Sequence, residues 1–72
     1  MEHGTRHGTV VSLRLEKGFG FIHEQTGEPD IFFHCSDLVE LPFDATLHER
    51  RVRFDVTETA KGLRATNIQT AN

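Results

Sequence analysis

Two phenylalanines in a short glycine-rich stretch are the side chains best suited to contact a ligand. The stretch reads Lys17-Gly18-Phe19-Gly20-Phe21-Ile22. Because side chains alternate between the two faces of a strand, Phe19 and Phe21 are predicted to point the same way. Gly18 and Gly20 leave the other face nearly bare, which allows a second backbone to approach closely. Two rings beside the charge of Lys17 suit stacking on nucleobases and contact with a phosphate backbone.

A second aromatic segment follows, Asp30-Ile31-Phe32-Phe33-His34. Alternation places Phe32 and His34 on one face and Ile31 and Phe33 on the other, so one face is predicted to serve the core and the other a ligand. Core packing is the alternative for Phe32 as for the other two rings, since phenylalanine is usually buried. An exposed cluster is favoured, because using both faces for the core leaves no solvent side.

The length and composition predict one small domain. The chain has 72 residues, of which 36% are apolar, and contains no tryptophan or tyrosine. No apolar run is long enough to span a membrane, and the polar start is unlike a secretory signal. A single cysteine, Cys35, fits a reducing compartment, so we expect a cytoplasmic protein. Residues 1–7 are predicted to form a flexible leader, and residues 8–70 the domain.

The net charge of −3 is mildly adverse for nucleic-acid binding, because it does not steer phosphates inward. The distribution of charge matters more than its sum. Six of the eleven acidic residues fall between positions 37 and 58, whereas Arg14, Lys17, Lys61 and Arg64 lie outside that block. A basic face with an acidic back is therefore compatible with the sequence.

The hydrophobic pattern predicts a small all-β barrel. Predicted strands cover residues 8–15, 17–24, 30–34, 51–57 and 63–69. In the first strand the inward residues are expected to be Val11, Leu13 and Leu15, and in the fourth Val52, Phe54 and Val56. Residues 24–29 are predicted to form a turn, and Ser36 is predicted to cap a single helical turn. Since Pro42 precludes a long helix, five short strands indicate a closed or nearly closed barrel.

The glycine-aromatic stretch fits most of the RNA-binding signature K/R-G-F/Y-G/A-F-V-x-F/Y, with Glu24 where an aromatic residue is expected. A four-stranded RNA-recognition domain needs two helices to cover its sheet, and none is predicted here. In such a domain the other aromatic motif precedes the glycine-aromatic stretch. Here Asp30-Ile31-Phe32-Phe33-His34 follows that stretch, and in this order of motifs the chain resembles a cold-shock domain. The resemblance continues through Gly8-Thr9-Val10, Phe43, Val52-x-Phe54 and Lys61-Gly62-x-x-Ala65-x-Asn67-Ile68. It implies a five-stranded antiparallel OB-fold barrel.

The resemblance also implies a ligand and a set of contact residues. The family binds single-stranded DNA and RNA, and many members act as RNA chaperones or regulators of transcription and translation. Carried over by position, the expected base-stacking residues are Phe19, Phe21, Phe32, His34 and Phe43. Lys17 and Lys61 match basic contact positions, and Asp30 matches a hydrogen-bonding acid. A monomer is expected, with a strand-exchanged dimer as the alternative.

The first strand departs from the family pattern. Ser12 replaces an exposed tryptophan, Val11 replaces a lysine, and Cys35 replaces an aromatic residue. Because each stacked side chain contributes about 1–3 kcal/mol, loss of the tryptophan predicts binding weaker by about 5- to 150-fold. Arg14 is expected to compensate in part by stacking or by contacting phosphate. A protein-interaction module that has lost strong nucleic-acid affinity remains the alternative, since exposed phenylalanines also serve a protein partner.

The sequence predicts no catalytic residue, metal site or cofactor. His34 and Cys35 are adjacent, and neighbours on a strand point to opposite faces unless the strand ends between them. Cys35 is therefore predicted to be a small buried hydrophobe. One cysteine and five scattered histidines do not give the ligand spacing of a zinc site.

Overall fold

The computed structural model describes residues 5–24 and 29–71. These residues form five strands and two short 3-10 helices: β1 (Arg6–Arg14), β2 (Phe19–His23), β3 (Ile31–His34), the helices Cys35–Asp37 and Ala45–Leu47, β4 (Arg51–Thr59) and β5 (Gly62–Thr70). The strands close into a barrel in the order β1-β2-β3-β5-β4. The prediction of a five-stranded all-β barrel is confirmed.

The barrel is mixed rather than wholly antiparallel. Four neighbouring pairs of strands run antiparallel, while β3 and β5 run parallel, with Phe32 opposite Arg64. A second parallel bridge joins Leu38 to Ile68 just beyond the end of β3. The reason is closure itself, because strand directions cannot alternate all the way round a ring with an odd number of strands.

The core lies inside the barrel and is built from inward positions of every strand together with Leu47 of the second 3-10 helix. The buried apolar residues are Val10, Ile22, Ile31, Phe33, Leu47, Val52, Phe54, Ala65 and Ile68. The predicted alternation of β3 is confirmed, since Ile31 and Phe33 are buried. In β4, Val52 and Phe54 are buried and Val56 packs partly buried against them, as predicted.

The predicted inward face of β1 is wrong in part. Val10 is fully buried, whereas Val11 is 39% exposed, and Leu15 lies beyond the strand with 46% exposure. The register between β1 and β2 shifts between Val10 and Ser12, which places a bulge at Val11. Because a bulge adds one residue to one strand, it changes the phase of alternation. Leu13 still packs against the core, as predicted.

Several predicted boundaries also move. Strand β1 begins at Arg6, so the predicted leader of residues 1–7 includes two strand residues, and residues 1–4 lie outside the described residues. Lys17 belongs to the turn before β2 rather than to the strand. The first 3-10 helix is capped by His34, not by Ser36. Most of the predicted turn at residues 24–29 lies outside the described residues.

Gly20 allows the close approach that its type predicts. A Cβ atom built there would lie 2.5 Å from the carbonyl oxygen of Ser12 and 2.9 Å from the Phe33 ring. The first neighbour is backbone and the second fills the core, so neither can move aside easily. Gly18 serves differently, because its φ of 78° lies in the left-handed region within the turn.

Gly20→Ala is expected to lower the free energy of unfolding by about 1–3 kcal/mol, because the methyl group overpacks the junction of β1, β2 and the core. Urea unfolding followed by circular dichroism measures this change. Thr57→Ala, at an exposed position of β4, is the control and is expected to stay within about 0.5 kcal/mol. Equal stability of the two variants contradicts the close approach at Gly20.

An ion pair that the sequence analysis did not foresee joins the start of β1 to the end of β2. The Arg6 Nε and Nη2 groups donate to the two carboxylate oxygens of Glu24, each at 2.7 Å. The Glu24 side chain is only 4% exposed, whereas that of Arg6 is 37% exposed. A buried carboxylate needs such a partner, and two parallel bonds from one guanidinium are the strong form of the pair.

Glu24→Gln is expected to lower the free energy of unfolding by about 1–2 kcal/mol, since the buried side chain loses its charge-assisted bonds while Arg6 retains partial solvation. The measurement is again urea unfolding. Glu58→Gln removes the same charge at an exposed position and is the matched control. If both variants lose the same small amount, the Arg6–Glu24 pair contributes no more than a surface charge.

Candidate nucleic-acid interface

Three phenylalanine rings from β2 and β3 lie side by side on the outer surface of the barrel. Phe19 and Phe32 have ring centroids 5.6 Å apart, and Phe21 lies 6.0 Å from each of them. All three residues are half-buried, and none belongs to the buried core. The alternative that these rings are core residues is therefore wrong. We call Phe19, Phe21 and Phe32 the aromatic platform.

Cross-strand register explains how the platform is assembled. Phe21 lies opposite Phe32, and Phe19 lies opposite His34. Opposite residues in a sheet point to the same face, so the alternation within each strand aligns the rings across strands. The inward face of the same segment carries Gly20 and Ile22, which are both buried. Sequence alternation and strand pairing thus agree on which rings stay at the surface.

The platform is bounded on the β1 side by a polar residue and a cation. Ser12 lies opposite Phe21, and Arg14 lies opposite Phe19. Ser12 is the position where the family pattern has tryptophan, so the platform has no ring on β1. Arg14 is exposed beside Phe19, where its guanidinium can reach a stacked base or a phosphate.

The two predicted lysines lie on different sides of the platform. Lys17 is exposed in the turn that precedes Phe19. Lys61 is exposed in the turn between β4 and β5, and it lines two grooves that share Phe32. The predicted cations therefore flank the rings, with Arg14 and Lys17 at one end and Lys61 at the other. A strand of phosphates that crosses the platform can be neutralised at both ends.

His34 is exposed at the end of β3, and its ring orientation is fixed. Its Nδ1 atom accepts the backbone N–H of Ser36 at 3.1 Å. In the neutral ring the proton is then on Nε2, so the ring is held in one tautomer. The Nδ1 atom also lies 3.8 Å from the Cys35 sulfur, which is the exception that the sequence analysis allows where the strand ends between the two residues. Alternation fails because β3 ends at His34 and Cys35, which is half-buried, begins the 3-10 helix.

Asp30 lies just before β3 and pairs with a neighbouring histidine. Its Oδ1 atom is 2.9 Å from Nδ1 of His23, and both side chains are exposed. Asp30 lines one of the grooves beside Phe32, together with Phe21 and Lys61. The hydrogen-bonding role implied by the family resemblance is compatible with this position, and the pairing with His23 adds a competitor for the carboxylate.

Phe43 does not join the aromatic platform. Its ring packs edge-to-face on the core residue Phe33, with centroids 6.4 Å apart and an interplanar angle of 78°. It is partly buried against the core. In the described residues no ring pair connects Phe43 to the three platform rings. Phe43 therefore lies apart from the aromatic platform, and its base stacking stays a prediction.

The grooves beside Phe32 reveal a residue that the sequence analysis did not select. The larger groove, of about 580 Å³, is lined by Phe32, Thr59, Ala60, Lys61, Leu63 and Arg64. Leu63 is 45% exposed and lines both grooves. An apolar side chain beside an exposed ring extends the surface on which a base can stack. The sequence does not mark Leu63 as a surface residue, because a leucine in a predicted strand is expected to face the core.

A second ion pair lies at the β5 edge of the platform. Arg64 Nε donates to Asp37 Oδ2 at 2.9 Å, and Nη2 donates to Oδ1 at 3.1 Å. These hydrogen bonds raise the pKa of the Arg64 guanidinium further above its ordinary value, so it stays charged. Asp37 Oδ2 also accepts the backbone N–H of His34 at 2.9 Å. One carboxylate thereby fixes both Arg64 and the end of β3.

Comparisons with known proteins agree with this geometry. A sequence model of the 'Cold-shock' DNA-binding domain matches residues 6–71. The cold shock proteins CspC of Bacillus subtilis and ScoF of Streptomyces coelicolor are each 41% identical over 64 residues, covering 89% of this chain and 96% of theirs. The cold shock-like protein CspE of Escherichia coli is 38% identical over 61 residues, covering 85% and 88%.

A solved structure has the same fold. The cold-shock region named CSD456 of Drosophila Unr superposes with a TM-score of 0.75 at 25% identity. The match covers 96% of this chain and 27% of that structure's chain.

In the described residues no helix is long and apolar enough to cross a membrane. With residues 6–71 matched and relatives aligned over most of their length, the chain belongs to the cold-shock DNA-binding domain family and is a nucleic-acid-binding protein of the cold-shock type.

Proposed function

We propose that this chain binds single-stranded DNA or RNA by stacking successive bases on the aromatic platform. The observation that carries the proposal is the arrangement of three half-exposed rings on neighbouring strands, with centroids 5.6–6.0 Å apart. Bases in a duplex have their faces covered by neighbouring bases, so rings in this position suit unpaired strands. Every base has a π-face, and such a surface accepts many sequences.

In this proposal the cations hold the backbone while the rings hold the bases. Lys17, Arg14 and Lys61 flank the platform and contact phosphates, and His34 extends the stacking surface at the end of β3. Asp30 accepts a hydrogen bond from a base edge, in competition with His23. Binding the unpaired form shifts weak RNA structure toward melting, which is the action of an RNA chaperone. No nucleotide hydrolysis is involved.

The proposal also includes the cellular location of the protein and its oligomeric state. The single cysteine supports a reducing, cytoplasmic location, and the monomer remains the predicted state. The net charge of −3 means that affinity comes from local contacts rather than from long-range attraction. Loss of the tryptophan at Ser12 supports modest affinity relative to a platform with a further ring.

Binding of a fluorescently labelled thymidine heptamer tests the proposal by anisotropy. Phe32→Ala is expected to weaken binding by about 1–3 kcal/mol, because one of the three platform rings is lost while the core stays intact. The slope of log affinity against log salt is expected to be about −0.7 for each phosphate neutralised. Val39→Ala removes an exposed apolar residue outside the platform and is the control.

A salt-independent interaction, or equal binding by Phe32→Ala and the parent chain, contradicts the stacking proposal. If neither the thymidine heptamer nor its RNA counterpart binds below about 100 μM in low salt, where phosphate contacts are strongest, the protein-interaction alternative replaces it. Circular dichroism of each variant establishes that the barrel is folded before the affinities are compared.

Ser12→Trp is expected to tighten binding of the same heptamer by about 5- to 150-fold, because it places a fourth ring beside Phe21 on the same face. Ser12→Leu adds apolar area without an aromatic face and is the matched control. If the leucine variant gains as much as the tryptophan variant, apolar contact rather than stacking governs this edge.

A further inference from the structure

Arg64 lies beside the aromatic platform, and the proposed stacking surface does not use it. It lies opposite Phe32 in the parallel contact between β3 and β5, so the two side chains share the outer face. Both line the larger groove, together with Lys61 and Leu63. The Arg64 side chain is 39% exposed. A base stacked on Phe32 would therefore present its edge toward this guanidinium.

Asp37 sets the orientation of that guanidinium. The carboxylate takes the Nε–H and one Nη2–H of Arg64 at 2.9 and 3.1 Å, while its own side chain is only 8% exposed. A guanidinium is planar and carries five N–H groups. The three that remain, two on Nη1 and one on Nη2, point away from Asp37. Two of them form a parallel pair at the end of the group.

The charge of the pair favours a base edge over a phosphate. Asp37 and Arg64 together are neutral, so their attraction for a phosphate is weaker than that of Lys61, which lines the same groove. Both oxygens of the Asp37 carboxylate already accept hydrogen bonds, one of them from His34 as well. The pair therefore presents directional donors and no acceptor to a ligand.

We propose that Arg64, held by Asp37, is a specificity residue that donates two hydrogen bonds to a base carrying adjacent acceptors. Guanine offers O6 and N7, the edge that arginine contacts most often in nucleic-acid recognition. Cytosine offers O2 and N3 on its Watson–Crick edge, which is accessible in a single strand. Adenine and thymine lack two adjacent acceptors. The inference rests on the proposed single-strand binding and adds a sequence preference to it.

Heptamers of thymidine with one test base in the middle separate this preference from general binding. Guanine or cytosine is expected to bind about 5- to 150-fold more tightly than adenine, the range for one bidentate base contact. Adenine controls for purine stacking. 7-Deazaguanine keeps the ring and O6 but lacks the N7 acceptor. If its heptamer loses the higher affinity that the guanine heptamer has over the adenine heptamer, N7 is one of the acceptors that Arg64 contacts. These comparisons need only the unaltered protein.

Variants then assign the preference to its residues. Arg64→Lys keeps the charge but lacks the planar fork, so the preference is expected to fall to about one while the affinity for all-thymidine is retained. Asp37→Asn removes the neutralising charge, so binding of all-thymidine is expected to tighten while the preference falls. Arg53→Lys makes the same charge-preserving change at an arginine that bonds Gln69 rather than Asp37, and it is the matched control.

The outcomes distinguish the two proposals. Absence of binding by both the all-thymidine heptamer and its RNA counterpart removes the stacking function and this inference with it. Binding that is equal for all four test bases leaves the stacking function in place and overturns the role of Arg64. Arg64→Lys that weakens every heptamer by the same factor also overturns it, because the preference for guanine or cytosine then does not depend on the guanidinium of Arg64. A deazaguanine heptamer equal to the guanine one restricts guanine to the O6 contact and overturns bidentate recognition of its N7 edge.

Discussion

The register between β2 and β3 decides which phenylalanines hold the barrel together and which stay in solvent. With Phe21 opposite Phe32 and Gly20 opposite Phe33, one face of the pair packs the core and the other presents the platform. A slip of one residue would exchange the two faces, because side chains alternate with a period of two. The close approach at Gly20 resists such a slip, since any larger side chain there would meet the Ser12 carbonyl and the Phe33 ring. Core packing and the ligand surface are therefore two results of one constraint.

The two ion pairs extend this arrangement beyond the strands. Glu24 and Asp37 are largely buried acids, and each is held by two parallel bonds from an arginine. Glu24 ties the first strand to the end of the second, and Asp37 ties the first 3-10 helix to β5. Because each pair joins one acid to one arginine, neither pair changes the net charge of −3, and the acidic excess lies with the other charged residues.

The local pattern of the sequence was enough to predict the barrel and most of the residues of the platform. Alternation in β3 and β4 assigned Ile31, Phe33, Val52 and Phe54 inward, and the glycine-aromatic stretch placed two rings outward. The bulge at Val11 escaped prediction because a bulge is settled by strand pairing, not by the residues of one strand. The position of Phe43 apart from the platform escaped prediction, because a loop aromatic has no periodicity to orient it. The pair Asp37–Arg64 spans 27 positions, and only the closed topology brings those residues together.

Closure of an odd-numbered ring has a mechanical consequence. The parallel contact between β3 and β5, the seam of the barrel, is short, since Phe32 and Arg64 are its one registered pair. Phe32 lies on one side of that seam and Lys61 on the other, in the turn that leads into β5. A nucleic-acid strand bound across both residues would bridge the contact between β3 and β5. Ligand binding would then also resist separation of these two strands.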